Sequence, residues 1–190
     1  MQNAQIQVAI ASGFDEMVQA IAIRSAVYVG EKGWSFKEEW DGNDFTCTHL
    51  LAKVGGESAG TLRIRYFGDF VKVERLAVLP HFRQKRYGRK GVAFELGDYA
   101  IDFCLKKGFR RIYGHALEEL VPFWQKIGRG HITPLDGASF SCGDKAVIAM
   151  FGELPPDPSA ITKDSDPYIT VRPEGHLDRP GFWELANGAH

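Results

Sequence analysis

The chain has 190 residues, 23 basic and 24 acidic, giving a formal net charge of -1, with 44% hydrophobic and 25% charged side chains. A chain of this length buries about two thirds of the surface its unfolded form exposes, so it folds without disulfides or a metal, and small stapled scaffolds are excluded. The neutral, aromatic-rich composition also argues against disorder and a wholesale nucleic-acid coat.

Ile6, Val8 and Ile10 alternate with Gln5, Gln7 and Ala9, the period of a half-buried strand. A helix is predicted next, with Ser12 and Asp15 resembling a capping box, Met17, Ile21, Arg24 and Tyr28 on one face, and Gly30 and Gly33 at its end. From Glu31 to Thr48, Trp34, Phe36, Trp40 and Phe45 stand among Glu38, Glu39, Asp41 and Asp44, which predicts an ordered, functional loop. Strands over 49–54, 61–67 and 70–79, joined at Gly55-Gly56 and Gly68-Asp69, form an antiparallel meander closed by Pro80.

The basic stretch 81–90 then opens a helix with Val92, Leu96, Tyr99, Ala100 and Phe103 on one face, ended by Lys106, Lys107 and Gly108. A strand over 110–116, a short helix over 117–127 starting near Pro122, and a final strand over 145–151 complete a mixed, mainly antiparallel α/β domain over 1–152, its sheet flanked by helices. Residues 153–190 are Pro-rich but hold Tyr168, Phe182 and Trp183, which predicts an extension packing on the domain or on a partner, with a homodimer as one outcome.

Cys47, Cys104 and Cys142 are widely spaced, so no metal site or disulfide framework is signalled. Neither a leader nor an apolar run long enough to span a bilayer is evident, and a cytoplasmic location without membrane contact is expected.

The chemistry concentrates where a strand passes through Pro80 into a basic, Gly-containing loop at a helix start. Unpaired N–H groups there carry about half a positive charge, and Arg83, Lys85, Arg86 and Arg89 add to it, which predicts a phosphate-bearing ligand. Neither Gly-x-x-x-x-Gly-Lys-Ser/Thr nor Gly-x-Gly-x-x-Gly occurs in this loop, leaving a diphosphate on a long carrier. The net charge of -1 is thus a cancellation between a basic 81–90 and an acidic 31–44.

The run Leu76-Ala77-Val78-Leu79-Pro80-His81-Phe82-Arg83-Gln84-Lys85-Arg86-Tyr87-Gly88 resembles the acyl-CoA signature of the GNAT superfamily of N-acetyltransferases, and the resemblance extends over residues 5–152. Arg24, Glu31, Asp41, Asp44, His49 and Arg63 are similar to a bacterial branch of it. The resemblance implies direct transfer of an acyl group from acetyl-CoA or a longer acyl-CoA to a small-molecule or peptide amine. Leu76, Ala77 and Val78 would then bond the pantetheine arm, and Arg83, Gln84, Lys85, Arg86, Tyr87, Gly88 and Arg89 would wrap the pyrophosphate. Arg86 stands where that signature usually has its first Gly. Trp124, beside Phe123, stands where many members carry a proton-donating Tyr; an indole cannot be a general acid, so Phe123 and Trp124 are assigned to packing under the acyl arm.

Glu74 is the first candidate base, with pairing to Arg63 or Arg75 as its rival role, and His115 is the second, ahead of His49 and His81. The 31–48 loop, with Trp34, Glu38, Glu39 and Asp41, is the expected acceptor side, its negative charge suiting a cationic amine. Arg24, Tyr28, Trp34, Glu39, Asp41, Asp44, Arg63 and Arg75 also resemble acyl-homoserine-lactone and N-acyl amino acid synthases, which implies a second possibility with acyl-carrier protein as donor, Arg24, Tyr28 and Trp34 at the amino-substrate site and the acidic and basic residues in a buried cluster; Glu39 and Arg63 are counted with the substrate-binding candidates. A non-catalytic CoA sensor is the third.

Overall fold

The computed structural model describes residues 5–83, 87, 90–142 and 145–188. It opens with strand β1 (Ile6–Ile10) and helix α1 (Phe14–Ser25), which continues into a π-helical turn (Ala26–Glu31). Ser12 bonds Glu16, not the expected Asp15, and Gly13 occupies the N-cap. The buried face is Ala20, Ile23, Arg24, Val27 and Tyr28, a step aside from the predicted stripe. Within the acidic, aromatic segment lie the short helix α2 (Phe36–Glu39) and a 3-10 turn (Asp44–Thr46).

Strands β2 (Thr48–Val54), β3 (Glu57–Tyr66) and β4 (Val71–Val78) form the expected meander. After the short α3 (Pro80–Arg83) come α4 (Val92–Lys106), β5 (Arg111–Leu117) and α5 (Val121–Ile127). Strands β6 (Thr133–Cys142) and β7 (Lys145–Glu153) complete a seven-stranded sheet in the order β1-β2-β3-β4-β5-β7-β6. Every neighbouring pair is antiparallel except β4 and β5.

Strand β6 was not expected from the sequence. It is an edge strand whose residues 133–141 are nearly all exposed, so no buried face writes an alternating pattern, and Pro134 and Gly137 interrupt it where its register with β7 shifts. On the opposite side of the domain the pattern is strong: α4 lays Val92, Leu96, Ala100, Ile101 and Cys104 over Leu50, Leu62, Ile64, Val73 and Ile112 of the sheet. Fully burying each of the larger side chains contributes about 1.5–3 kcal/mol. Gly152 on β7 passes so close to the His131 backbone that a Cβ there would overlap its carbonyl. Gly152→Ala is therefore expected to lower stability by about 2–3 kcal/mol, read as a drop in denaturant midpoint; an unchanged midpoint would contradict this packing.

Residues beyond β7 run back over the domain. Leu154 and Leu177 join the core, the Ile161 N–H bonds the Lys106 carbonyl at 2.8 Å, Lys107 pairs with Glu174, and Gly175 lies beside Ile10. A last short helix, α6 (Phe182–Ala186), is held by an Arg172–Glu184 ion pair and leaves Phe182, Trp183 and Leu185 exposed. No helix among the described residues is long and apolar enough to cross a membrane.

Candidate active site

Strands β4 and β5 pair over only three positions, Val71–Val73 with Ile112–Gly114, and then part. The separation begins at a bulge. Arg63 faces Glu74, but Thr61 faces Ala77, so β4 carries one extra residue there, and Arg75 takes φ 55° to accommodate it. A side chain in that left-handed region costs roughly 1–2 kcal/mol, which the surrounding contacts must offset.

Beyond the bulge, the Leu79 N–H bonds the Ala59 carbonyl on β3, so by alternation Leu79 and Ala77 turn their backbone toward β3 while Val78 and Leu76 turn theirs toward the opening. Two carbonyls on that open edge are capped by side chains. The Tyr28 hydroxyl donates to the Leu76 carbonyl at 2.8 Å, and Arg83 Nε donates to that of Val78 at 2.7 Å. The N–H groups of the same edge remain as donors toward the cleft, where a strand-like ligand arm would lie.

At the foot of the cleft is a small apolar cavity lined by Val73, Ile112, Gly114, Trp124, Ile132 and Met150. Trp124 and Phe123 are half-buried on α5, edge to face at 5.4 Å, and pack against the core.

The basic segment meets α4 at Gly91, an N-cap with no side-chain partner. Gln84, Lys85, Arg86, Gly88 and Arg89 lie outside the described residues; Tyr87 is half-buried and bridged to Lys90. Arg83 is engaged otherwise than expected. Its guanidinium makes a two-pronged ion pair with Glu31, 2.6 Å on each arm, in addition to its bond to Val78.

On the face of the sheet opposite α4 lies a buried ion network. Arg24, wholly buried, bonds Glu39 and Asp44 at 2.5 Å each and the Glu39 carbonyl at 3.0 Å. Arg63, also wholly buried, reaches Glu74, Asp41 and Asp44 at 2.5–2.9 Å. Lys72 pairs with Glu74 at 2.8 Å; Arg75 Nη2 donates to the Glu38 carbonyl at 2.8 Å, and its Nε lies 3.1 Å from Glu39 without a well-aligned hydrogen bond. Burial alone would raise the Asp41 and Asp44 carboxyls, but the guanidinium hydrogen bonds outweigh it and hold both below the usual range.

The acidity of the 31–48 segment is therefore spent on the protein itself. Glu31 faces Arg83, and Glu39, Asp41 and Asp44 face arginines, while Glu38 accepts the Ser35 N–H and keeps its charge at the surface, so most of the negative charge expected to face a cationic amine is paired within the protein. Arg24, Glu39 and Arg63, expected at the substrate, are closed off from solvent and position the segment instead. Tyr28 and Trp34 do come together, ring centroids 4.6 Å apart, with the Arg75 guanidinium 5.3 Å above the indole; Trp34 is half-buried. Asp44, Cys47 and His49 form the one cluster of metal-ligating types among the described residues. The Asp44 carboxylate is already shared by two arginines, and burial pushes the Cys47 thiol up to about 11, so the cluster suits neither a cation nor a nucleophile.

Of the two candidate bases, Glu74 is buried and bonded to Arg63 and Lys72; burial raises its carboxyl, but these partners more than offset that and hold it below its ordinary range. A carboxylate so stabilised is a weak base. His115 is half-buried, and burial, assisted by the Lys72 charge, lowers its imidazole below the ordinary value, which keeps it neutral at pH 7. Its Nε2 lies 3.2 Å from the Tyr113 hydroxyl, and its ring meets Phe140 edge to face. Register places Lys72 beside Tyr113, so Lys72, Glu74, Tyr113 and His115 share one face at the parting of the strands. Lys72 and Tyr113 were not singled out from the sequence, although the two-residue period linking Tyr113 to His115 was available there. His49 is buried against Asp44, and His81 is exposed beside Glu57.

The model of the Acetyltransferase (GNAT) family matches residues 16–128. A Bacillus subtilis (strain 168) protein provisionally named as an acetyltransferase is 29% identical over 116 residues, 57% of this chain and 73% of its own. Among solved structures, a Lactobacillus plantarum protein provisionally named as an N-acetyltransferase superposes with a TM-score of 0.68 at 20% identity, over 80% of this chain and 99% of that one. The CoA-dependent acyl-homoserine lactone synthase BjaI, solved with SAM and isopentyl-CoA, gives 0.61 at 18% identity, over 80% and 84%. With a family match over more than half of its length and the parted β4–β5 sheet, the chain belongs to the GNAT family of acetyltransferases.

Proposed function

We propose that this GNAT protein transfers an acyl group from a CoA thioester directly to an amine. The observation that carries this is the parting of β4 from β5 after Val73, which leaves the Leu76–Val78 edge without a strand partner beside an uncapped start of α4. In this reading the edge N–H groups of Leu76 and Val78 bond the pantetheine arm and thioester carbonyl. The basic segment after Arg83 and the α4 N-terminus take the phosphates, and Trp124 packs under the acyl arm. His115 accepts the proton of the attacking amine, with Tyr113 fixing its ring. Transfer within a ternary complex needs no covalent enzyme intermediate, and Cys104, buried in α4 with its thiol pushed up to about 12, offers no nucleophile.

Calorimetry with acetyl-CoA and longer acyl-CoA should show micromolar-range binding, and a thiol-release assay over a panel of amines should then identify the acceptor. No heat with any acyl-CoA would overturn the proposal. Binding without thiol release under any condition would make the chain a CoA sensor.

A second reading, the synthase type, has its own support. Tyr28 and Trp34 stand against Arg75 above the buried network, and BjaI, a CoA-dependent acyl-homoserine lactone synthase, shares the fold. Preference for an amino-acid-like acceptor, or for acyl-carrier protein over acyl-CoA, would favour it.

A further inference from the structure

The two capped carbonyls of the open edge are both governed from one short stretch of chain. Tyr28, which holds the Leu76 carbonyl, lies in the π-helical turn Ala26–Glu31, and Glu31 ends that turn. Glu31 does not touch β4. It grips both outer nitrogens of Arg83, whose third nitrogen, Nε, holds the Val78 carbonyl at 2.7 Å. A planar guanidinium bonded on three nitrogens has one orientation left. The turn is further pinned by the Trp34 N–H to the Tyr28 carbonyl at 2.9 Å and by Lys32 over the Tyr28 ring at 5.1 Å. π-Helical turns inside helices concentrate at functional positions.

We infer that Glu31 is a positioning residue for the acyl donor: through Arg83 it fixes where β4 enters the basic segment and keeps the Val78 carbonyl, which faces the opening, occupied, so that the incoming arm meets the N–H groups of that edge. This rests on the proposed function, and it assigns Arg83 a different task from the pyrophosphate contact expected of it. With its guanidinium held by Glu31 and Val78, Arg83 braces the entrance, and the charge for the phosphates must come from the remaining cations and the α4 N-terminus. Glu31 sits on the acceptor-side segment and Arg83 on the donor side, so the pair also joins the two substrate regions.

The test is a cycle of four proteins, wild type, Glu31→Gln, Arg83→Gln and the double variant, titrated with acetyl-CoA by calorimetry and melted in parallel. Glu31→Gln should weaken acetyl-CoA about tenfold while its melting temperature stays within about 2 °C of wild type, because a half-exposed pair contributes little to global stability. In the Arg83→Gln background the Glu31 substitution should have no further effect. Glu31→Asp, which keeps the charge, should recover part of the loss. Unchanged or tighter binding by Glu31→Gln, an effect that persists without Arg83, or a large drop in melting temperature that accounts for the weaker binding would each overturn the assignment. If the wild type binds no acyl-CoA, the proposed function falls first and the brace with it, whereas wild-type binding with an indifferent Glu31→Gln removes the brace alone.

Discussion

Arg63→Ala is expected to destabilise the protein by about 3–5 kcal/mol, or roughly 10 °C in melting temperature, although Arg63 touches no solvent. Most of that cost comes from what the substitution leaves behind. Glu74 keeps Lys72, Asp44 keeps Arg24, and Asp41 keeps the Asn43 N–H and a 3.3 Å contact to Arg75, so three buried or half-buried carboxylates each lose a charged partner, Asp41 its principal one. The pH dependence gives a sharper test. In the wild type these carboxyls are depressed, so their contribution is present above their unfolded values near pH 4 and is lost as pH falls through the folded ones. The variant loses the part of that depression that Arg63 supplies, and protonation relieves the charges left without it. The gap between the two proteins should therefore be widest near pH 7 and close mainly as pH falls through about 4 toward the folded values of the wild type. A constant gap would mean that lost packing, and not lost pairing, dominates.

His115→Gln is expected to reduce turnover by about two to three orders of magnitude once an accepting amine is in hand, with acyl-CoA affinity little changed. The wild-type rate should fall toward acid as the imidazole protonates, with its inflection below the ordinary histidine value because burial and Lys72 both disfavour the charged ring. The variant should lose that acid limb. A limb that survives would remove His115 as the base, and its loss in Glu74→Gln instead would restore the rank order suggested by sequence. Groups facing the ring are Lys72 and Glu74 from β4, Tyr113 from its own strand and the phenyl ring of Phe140 from β6. Lys72→Met should raise the inflection, since it removes a repelling charge.

Strands β1 to β5, α4 and β7 were legible because one face of each meets the core and the alternation or helical period records it. Strand β6 was not, having almost no buried face. Residues of the ion network could be singled out, but their pairing could not: Arg24 and Asp44 come from a helix and a turn twenty residues apart, and only the folded segment makes Asp44 common to Arg24 and Arg63. The bulge was hidden for a different reason. Positive φ is usually announced by Gly, and here Arg75 adopts it, held among Glu38, Asp41 and Trp34. The pairing of Arg83 with Glu31 was not legible either, because a basic residue near an expected phosphate site does not disclose a carboxylate that returns from 52 residues earlier.

The extension after β7 has a bearing on solubility. Leu177 shares the core with Ile10, and Gly175 lies beside that residue on β1, the terminal strand of its side of the sheet. The other terminal strand, β6, carries Pro134, Asp136 and a register break, features that discourage strand addition. β1 reads Ile6-Gln7-Val8-Ala9-Ile10 and carries neither charge nor proline. Cutting the chain after Gly152 would uncover Ile10 at the end of that edge and take Leu154 and Leu177 out of the core, so the shortened protein is expected to aggregate instead of yielding a cleaner monomer.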